Sequence, residues 1–125
     1  VATACGLATL REIRKPGFFE ALSQSTHRLI DGLKAAAADA GVPFAADCEG
    51  GMFGFFLLPG LPQNYQQVMQ SNSAHFNTLF HGLLDRGVYL APALYEAGFV
   101  SAAHTAQDID DTIAKAHEVF QTLQA

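Results

Sequence analysis

Apolar residues recur at helical spacing in four stretches of the chain, and each stretch is predicted to form an amphipathic helix. In the first, Leu7 and Leu10 share one face, and the helix is expected to end at about Arg14, before Pro16 and Gly17. The other three predicted helices cover residues 18–40, residues 74–86 and the C-terminal segment that follows residue 105.

Two runs between the second and third of these helices have the character of strands. Residues 43–48 and 52–58 flank Gly50 and Gly51, whose backbone freedom suits a tight reversal, so an antiparallel hairpin is predicted. The second run is apolar throughout, which predicts a central strand covered on both faces. Further short strands are predicted at 88–90 and 99–101, and a weak helix or mobile insertion at 63–73.

Together these elements predict an α+β fold, a two-layer sandwich in which a small, mainly antiparallel sheet packs against helices. At 125 residues, the chain has the length of one domain. A net charge of −5 argues against a nucleic-acid partner, because phosphate binding requires a basic face. No apolar run approaches the roughly 18 residues that span a bilayer, so no membrane partner is expected. Cys5 and Cys48 lack CxxC spacing and are expected to be free, buried thiols of a cytoplasmic protein.

Familiar catalytic and metal-binding motifs are missing from the sequence. The five histidines show no HxxxH spacing and none neighbours a cysteine ligand, so no metal site is predicted. There is no GxSxG nucleophile motif, no GxGxxG and no P-loop. The lysines fall on charged helix faces or in a turn, where an amine is not activated for imine formation: Lys15, Lys34 and Lys115.

One segment resists a purely structural interpretation. Glu96 is an isolated carboxylate within an otherwise apolar run, where burial without a partner would be costly. Solvent exposure would explain it equally well. The functional interpretation is that Glu96 faces a polar site built jointly with another part of a larger molecule. His104 and Ser101 follow in the same segment, ahead of a predicted helix cap formed by Thr105 with Asp108.

The same segment resembles the C-terminal region of the glutamate-1-semialdehyde 2,1-aminomutase family. The resemblance is carried by residues 87–112, GVYLAPALYEAGFVSAAHTAQDIDDT, and by the GGMFGFF run at 50–56. Residues 1–10 look like the helix that follows this family's phosphate-binding loop, and the resemblance covers the whole chain in order. The EAGF and HTxxDID pieces are shared more loosely with other class III aminotransferases.

This resemblance implies the C-terminal small domain of a longer, fold type I enzyme that depends on pyridoxal 5'-phosphate. Residues 1–125 would form that single domain, with the helix at 1–14 truncated on its N-terminal side. The family converts glutamate-1-semialdehyde to 5-aminolevulinate in tetrapyrrole (porphyrin) biosynthesis, as a cytoplasmic homodimer. The implied partners are the rest of the enzyme's own chain, a second identical subunit and a small-molecule substrate.

The family's cofactor ligands, including its Schiff-base lysine, correspond to positions upstream of Val1. The resemblance therefore assigns no cofactor-binding residue and no metal ligand to this chain, and implies that it is inactive alone. Glu96 corresponds to a family position near the active site that contacts substrate or intermediate, with Ser101 and His104 as supporting groups. Two alternatives stay open: the C-terminal domain of another class III aminotransferase or racemase, and a free-standing interaction domain.

Overall fold

Five α-helices and three β-strands make up the computed structural model, which describes the backbone of residues 1–124 and the side chains of residues 1–123. In chain order, the elements are α1 (Ala2–Ile13), α2 (Phe18–Asp39), β1 (Ala45–Glu49), β2 (Met52–Phe56), α3 (Tyr65–Val68), α4 (Ser73–Asp85), β3 (Gly98–Phe99) and α5 (Ala106–Gln121), followed by a 3-10 turn at Thr122–Gln124. The bounds of the four long helices agree with the helical spacing in the sequence to within one residue at most ends.

The core lies between the sheet and a layer formed by α2, α4 and α5. Phe120 of α5 is 0% exposed, and its ring meets the edge of Phe44 at a centroid distance of 5.4 Å. The Phe44 ring in turn stacks on Phe55 of β2 at 5.5 Å. These three rings join the helix layer to the sheet, which confirms the predicted α+β sandwich.

The sheet has the order β1-β2-β3 and both of its pairings are antiparallel. The β1–β2 hairpin turns at Gly50 and Gly51, as predicted, and Gly50 has a φ of 57°, a conformation that favours glycine. Phe53 pairs with Cys48 on one side and with Gly98 on the other, so β2 is the central strand.

The prediction that β2 is covered on both faces is wrong for the residues that the structure describes. Met52 is 46% exposed, and Gly54 and Phe56 on the same face are only partly buried. The reason is architectural: α2, α4 and α5 all lie on the other face, where Phe53 points. An entirely apolar strand indicates that both of its faces are buried. In the part of the chain that the structure describes, only one face of β2 is covered by helices.

The predicted strand at 88–90 is also wrong. Val88 and Leu90 do pack against the core, but the Val88 N–H donates to the Leu83 carbonyl at 2.9 Å. The Val88 N–H therefore closes the C-terminal end of α4 and is not available for pairing with a strand. The strand predicted at 99–101 forms one residue earlier, at Gly98–Phe99, and the weak helix expected within 63–73 is α3.

Helix α1 stands apart from this core and buries none of its residues. Leu7 and Leu10 are 49% and 53% exposed, so their apolar face has no cover in the described chain. Cys5 lies on this helix and is exposed, which makes the expectation of a buried thiol wrong there, whereas Cys48 is half-buried. Both cysteines are free. Within residues 1–124, no helix combines the length and apolarity needed to cross a bilayer.

Truncating Phe120 tests the importance of the aromatic contact between the layers. Phe120→Ala is expected to lower the free energy of unfolding by about 3–5 kcal/mol, because it removes a fully buried ring and leaves a cavity. Urea unfolding followed by circular dichroism measures this loss. Tyr65→Ala is the control, because that aromatic ring is 72% exposed and its loss should cost less than about 0.5 kcal/mol. Equal losses in the two variants would contradict the assignment of the core.

Candidate functional site

Glu96 lies in a turn that leads directly into β3. Its N–H donates to the Ala93 carbonyl at 3.3 Å, and β3 begins two residues later at Gly98. The Glu96 side chain is exposed and makes no hydrogen bond or ion pair with any residue that the structure describes. Exposure removes the cost of burying the charge. The position of the carboxylate is therefore set by the backbone on either side of it.

Beside Glu96, an open cavity of about 370 Å³ lies over the outer face of the sheet. Two further carboxylates from β1, Asp47 and Glu49, line it together with Glu96. The apolar part of its lining includes Met52 and Phe56 of β2. The structure thus brings three acidic groups and an apolar floor together on the face that the helices leave open.

Strand register explains why these particular residues share the outer face. Asp47 is paired with Gly54 and Glu49 with Met52, and paired residues of antiparallel strands point to the same side. Asp47 and Glu49 were not identified from the sequence as site residues. The available signal was the reversal at Gly50, which aligns the alternating acids of β1 with the small and apolar residues of β2.

The electrostatic character of this cavity is acidic. Its described lining contains no lysine, arginine or histidine. Carboxylates grouped in this way attract ammonium groups and repel anions. Burial raises the pKa of the nearby Cys48 thiol, and the charge of Asp47 adds to the effect. Cys48 therefore stays protonated at neutral pH and is a poor nucleophile.

Ser101 and His104, the two supporting residues proposed from sequence, contact each other rather than the cavity. The Ser101 N–H donates to His104 Nδ1 at 3.0 Å, and the Ala103 N–H donates to Ser101 Oγ at 3.1 Å. With Nδ1 accepting, the proton of the neutral imidazole sits on Nε2. Neither residue is among those that line the cavity beside Glu96. They organise the connection from β3 to α5.

That connection ends in a reciprocal cap on α5. The Asp108 carboxylate accepts from the Thr105 N–H and from the Thr105 hydroxyl, both at 2.7 Å, while the Asp108 N–H donates back to Thr105 Oγ1. The capping box expected from the sequence is therefore confirmed, with Asp in place of Glu or Gln. These bonds to Thr105 lower the pKa of Asp108, and His104 adds a smaller effect.

Groups suited to holding a metal or an aldehyde cofactor are not gathered near Glu96. Within the described chain, no three His, Cys, Asp or Glu residues are arranged to bind a metal ion. Lys15, in the connection between α1 and α2, forms an ion pair with Glu12 of α1. Lys34 and Lys115 belong to α2 and α5 and do not line the cavity.

Comparison with known proteins shows what this chain is similar to. No protein-family model matches the chain. A glutamate-1-semialdehyde 2,1-aminomutase from Acidovorax ebreus is 72% identical over 123 residues, covering 98% of this chain and 28% of the relative. The enzyme of that name from Delftia acidovorans is 61% identical over the same 98% and 28%. The chain is a homologue of the C-terminal part of the glutamate-1-semialdehyde 2,1-aminomutase family.

The chain spans less than a third of the length of these aminomutases. An aminomutase from Paracidovorax citrulli gives the same picture, with 70% identity over all of this chain and 29% of the relative. Among solved structures, an omega-transaminase from Sphaerobacter thermophilus has a TM-score of 0.77 over 96% of this chain and 27% of its own. At 21% sequence identity, that likeness shows a shared fold.

The Asp108 cap should give the aminomutase homologue a defined pH dependence of stability. Because the folded-state pKa of Asp108 lies below its ordinary value of 3.8, the cap stabilises the fold above that value. The contribution is lost as the pH falls through the lowered pKa. In urea titrations at several pH values, wild type should exceed Asp108→Asn in stability at neutral pH and converge with it at low pH.

Asp111→Asn makes the same change of charge on α5, at a carboxylate that, within the described chain, accepts a hydrogen bond from the Gln107 side chain and takes no part in the cap. It should therefore show a smaller gap from wild type at neutral pH. A gap between wild type and Asp108→Asn that stays constant down to acid pH would contradict the role given to the cap.

Proposed function

We propose that this chain is the C-terminal domain of a pyridoxal-phosphate-dependent enzyme that isomerises glutamate-1-semialdehyde to 5-aminolevulinate in tetrapyrrole biosynthesis. The observation that carries this is the 72% identity with named aminomutases over 98% of the chain. Residues 1–125 form one domain of that longer enzyme, a cytoplasmic homodimer, and are inactive when separated from the rest.

The surfaces left open by the fold support a domain that packs against more protein. The apolar side of α1, with Leu7 and Leu10 exposed, and the outer face of β2, with Met52 exposed, both lack a cover in the described chain. Exposed apolar faces of this kind mark contact surfaces. In the proposal, the remainder of the enzyme covers them and closes the cavity beside Glu96.

The residues near Glu96 do not fit pyridoxal phosphate by themselves. The cofactor needs a lysine amine for its aldehyde and donor groups for its phosphate, whereas the cavity presents three carboxylates and no cationic side chain. When bound in the full enzyme, the cofactor supplies the electron sink for amino-group transfer. Its ligands therefore come from outside this domain, and the domain contributes to binding the substrate.

In this scheme, Glu96 contacts the amino group of the substrate or of an intermediate. A carboxylate can accept hydrogen bonds from an ammonium group and stabilise its charge, and the neighbouring Asp47 and Glu49 strengthen the same preference. Ser101 and His104 act as supporting groups, because their mutual hydrogen bond fixes the backbone that follows β3.

A second candidate is the corresponding domain of another class III aminotransferase or racemase, which the transaminase-like fold also accommodates. An aminotransferase and the isomerase proposed above differ in their need for a co-substrate. A transaminase passes the amino group to a separate acceptor, whereas the isomerase moves it within one molecule. An interaction domain without catalytic partners is the remaining alternative, and it would tolerate any change at Glu96.

Glu96→Gln in the longer enzyme that carries this domain tests the role of the carboxylate. We expect kcat to fall by about 10²-fold, because the charge that meets the substrate amino group is removed. The free energy of unfolding should change by less than about 0.5 kcal/mol, because the Glu96 side chain is exposed and has no partner among the described residues. Steady-state kinetics and urea unfolding measure the two quantities.

Glu118→Gln is the matched control, since Glu118 lies in the helix layer, where it pairs with Arg86 at 2.9 Å. It should leave kcat unchanged. Unaltered kinetics in Glu96→Gln would remove this residue from the site.

Mixing the 125-residue chain with stoichiometric pyridoxal phosphate tests the assignment of cofactor ligands to the rest of the enzyme. No absorbance band of a lysine imine is expected, because none of the three lysines lies in the cavity. A specific band that disappears on replacing Lys34 or Lys115 with arginine would show that this chain holds the cofactor itself.

A further inference from the structure

Strand β3 depends on a very close approach to β2 at Gly98. A Cβ atom built on Gly98 would lie 2.2 Å from Cζ of Phe53 and 2.6 Å from both Cε atoms. Such distances are far inside van der Waals contact, so only glycine fits at this position. The requirement is one of space, because the Gly98 φ is not in the left-handed region.

The Phe53 ring has little room to move away. It is 5% exposed, belongs to the core and lies in the central strand between Cys48 and Gly98. Interiors are close-packed, so displacing a buried ring costs more than displacing a two-residue strand. A side chain at position 98 would therefore push β3 away from the sheet.

A second glycine secures the other end of β3. The Val100 N–H donates to the Gly51 carbonyl at 2.7 Å, and a Cβ at Gly51 would lie 3.0 Å from the Val100 carbonyl oxygen. The strand is thus held by two ladder pairs, one short hydrogen bond, and close approaches at Gly98 and Gly51, of which the one at Gly98 is by far the tighter.

Glu96 lies two residues before Gly98 and its side chain has no partner in the described chain. Its position therefore follows that of the backbone to which it is attached. We propose that Gly98, packed on the ring of Phe53, is a positioning residue that fixes Glu96 at the edge of the cavity. The consequence for catalysis rests on the role proposed above for Glu96, while the consequence for structure does not. Misplacement by about 1 Å is enough to cost an enzyme roughly 10²-fold in rate.

Amide hydrogen exchange in the 125-residue chain tests the structural half of the proposal. Gly98→Ala should accelerate exchange of the Val100 N–H by at least about tenfold, because β3 detaches from β2. Gly60→Ala is the control, since a Cβ there meets nothing within 4 Å and the Gly60 φ is not positive. It should leave the Val100 rate unchanged.

Phe53→Leu removes the ring atoms that the new Cβ would meet, so the double variant Gly98→Ala/Phe53→Leu should recover slow exchange at Val100. If Gly98→Ala alone fails to fold, recovery of folding in the double variant supports the proposal equally. Wild-type exchange in Gly98→Ala, or no rescue by Phe53→Leu, would overturn it.

Kinetics of the longer enzyme test whether Gly98 acts through Glu96. Gly98→Ala should lower kcat by about 10²-fold, and Gly98→Ala/Glu96→Gln should be no slower than Glu96→Gln alone. If the fold-losses in kcat of the two single variants multiply in the double variant, the proposed action through Glu96 is overturned and a general structural effect is indicated. If Val100 exchange responds as expected but Glu96→Gln has normal kinetics, the positioning of β3 stands and the function proposed for Glu96 fails.

Discussion

The helices bury one side of the three-stranded sheet and leave the other side open, and the cavity and the contact surfaces of this fold follow from that division. The rings of Phe44, Phe55 and Phe120 connect the sheet to the helix layer, and each of α2, α4 and α5 contributes apolar residues to the same core. Antiparallel sheets can be stable with one face covered. The other face is then free to carry function, and here it carries the acidic cavity beside Glu96.

The placement of Glu96 follows from how this sheet ends. The short strand β3 adds only two residues to the edge of β2, and the turn that precedes it brings Glu96 to the border of the cavity on the outer face. The carboxylate needs no partner inside the domain because it is exposed. A group presented in this way is available to a ligand or to a neighbouring protein surface, and the uncovered apolar side of α1 indicates where more protein can pack.

Much of this architecture could be predicted from the sequence, because helices leave a periodic pattern. The bounds of α2, the start of α5 and the cap at Thr105 follow from residues that are close together in the chain. The errors arose where tertiary context decides the outcome. The apolar sequence of β2 predicts that both faces of the strand are buried. It does not tell whether the residues of this chain provide the cover for both.

The candidate site was only half predictable for a related reason. Glu96 is conspicuous as a lone charge in an apolar run, whereas Asp47 and Glu49 join it only through strand register. The need for glycine at position 98 likewise could not be predicted from the sequence, because it depends on where the Phe53 ring lies. Sequence patterns predict helices, strands and caps because these depend on neighbouring residues. Contacts between segments that are distant in the chain become known only from the structure.

We propose above that this chain is the C-terminal domain of an enzyme that moves an amino group within one molecule. The most direct measurement is to supply the longer enzyme containing this domain with glutamate-1-semialdehyde, with no amino acceptor added, and to assay the product. Formation of 5-aminolevulinate over many turnovers is the predicted result. Absence of 5-aminolevulinate, or turnover that requires a separate amino acceptor, would contradict the account.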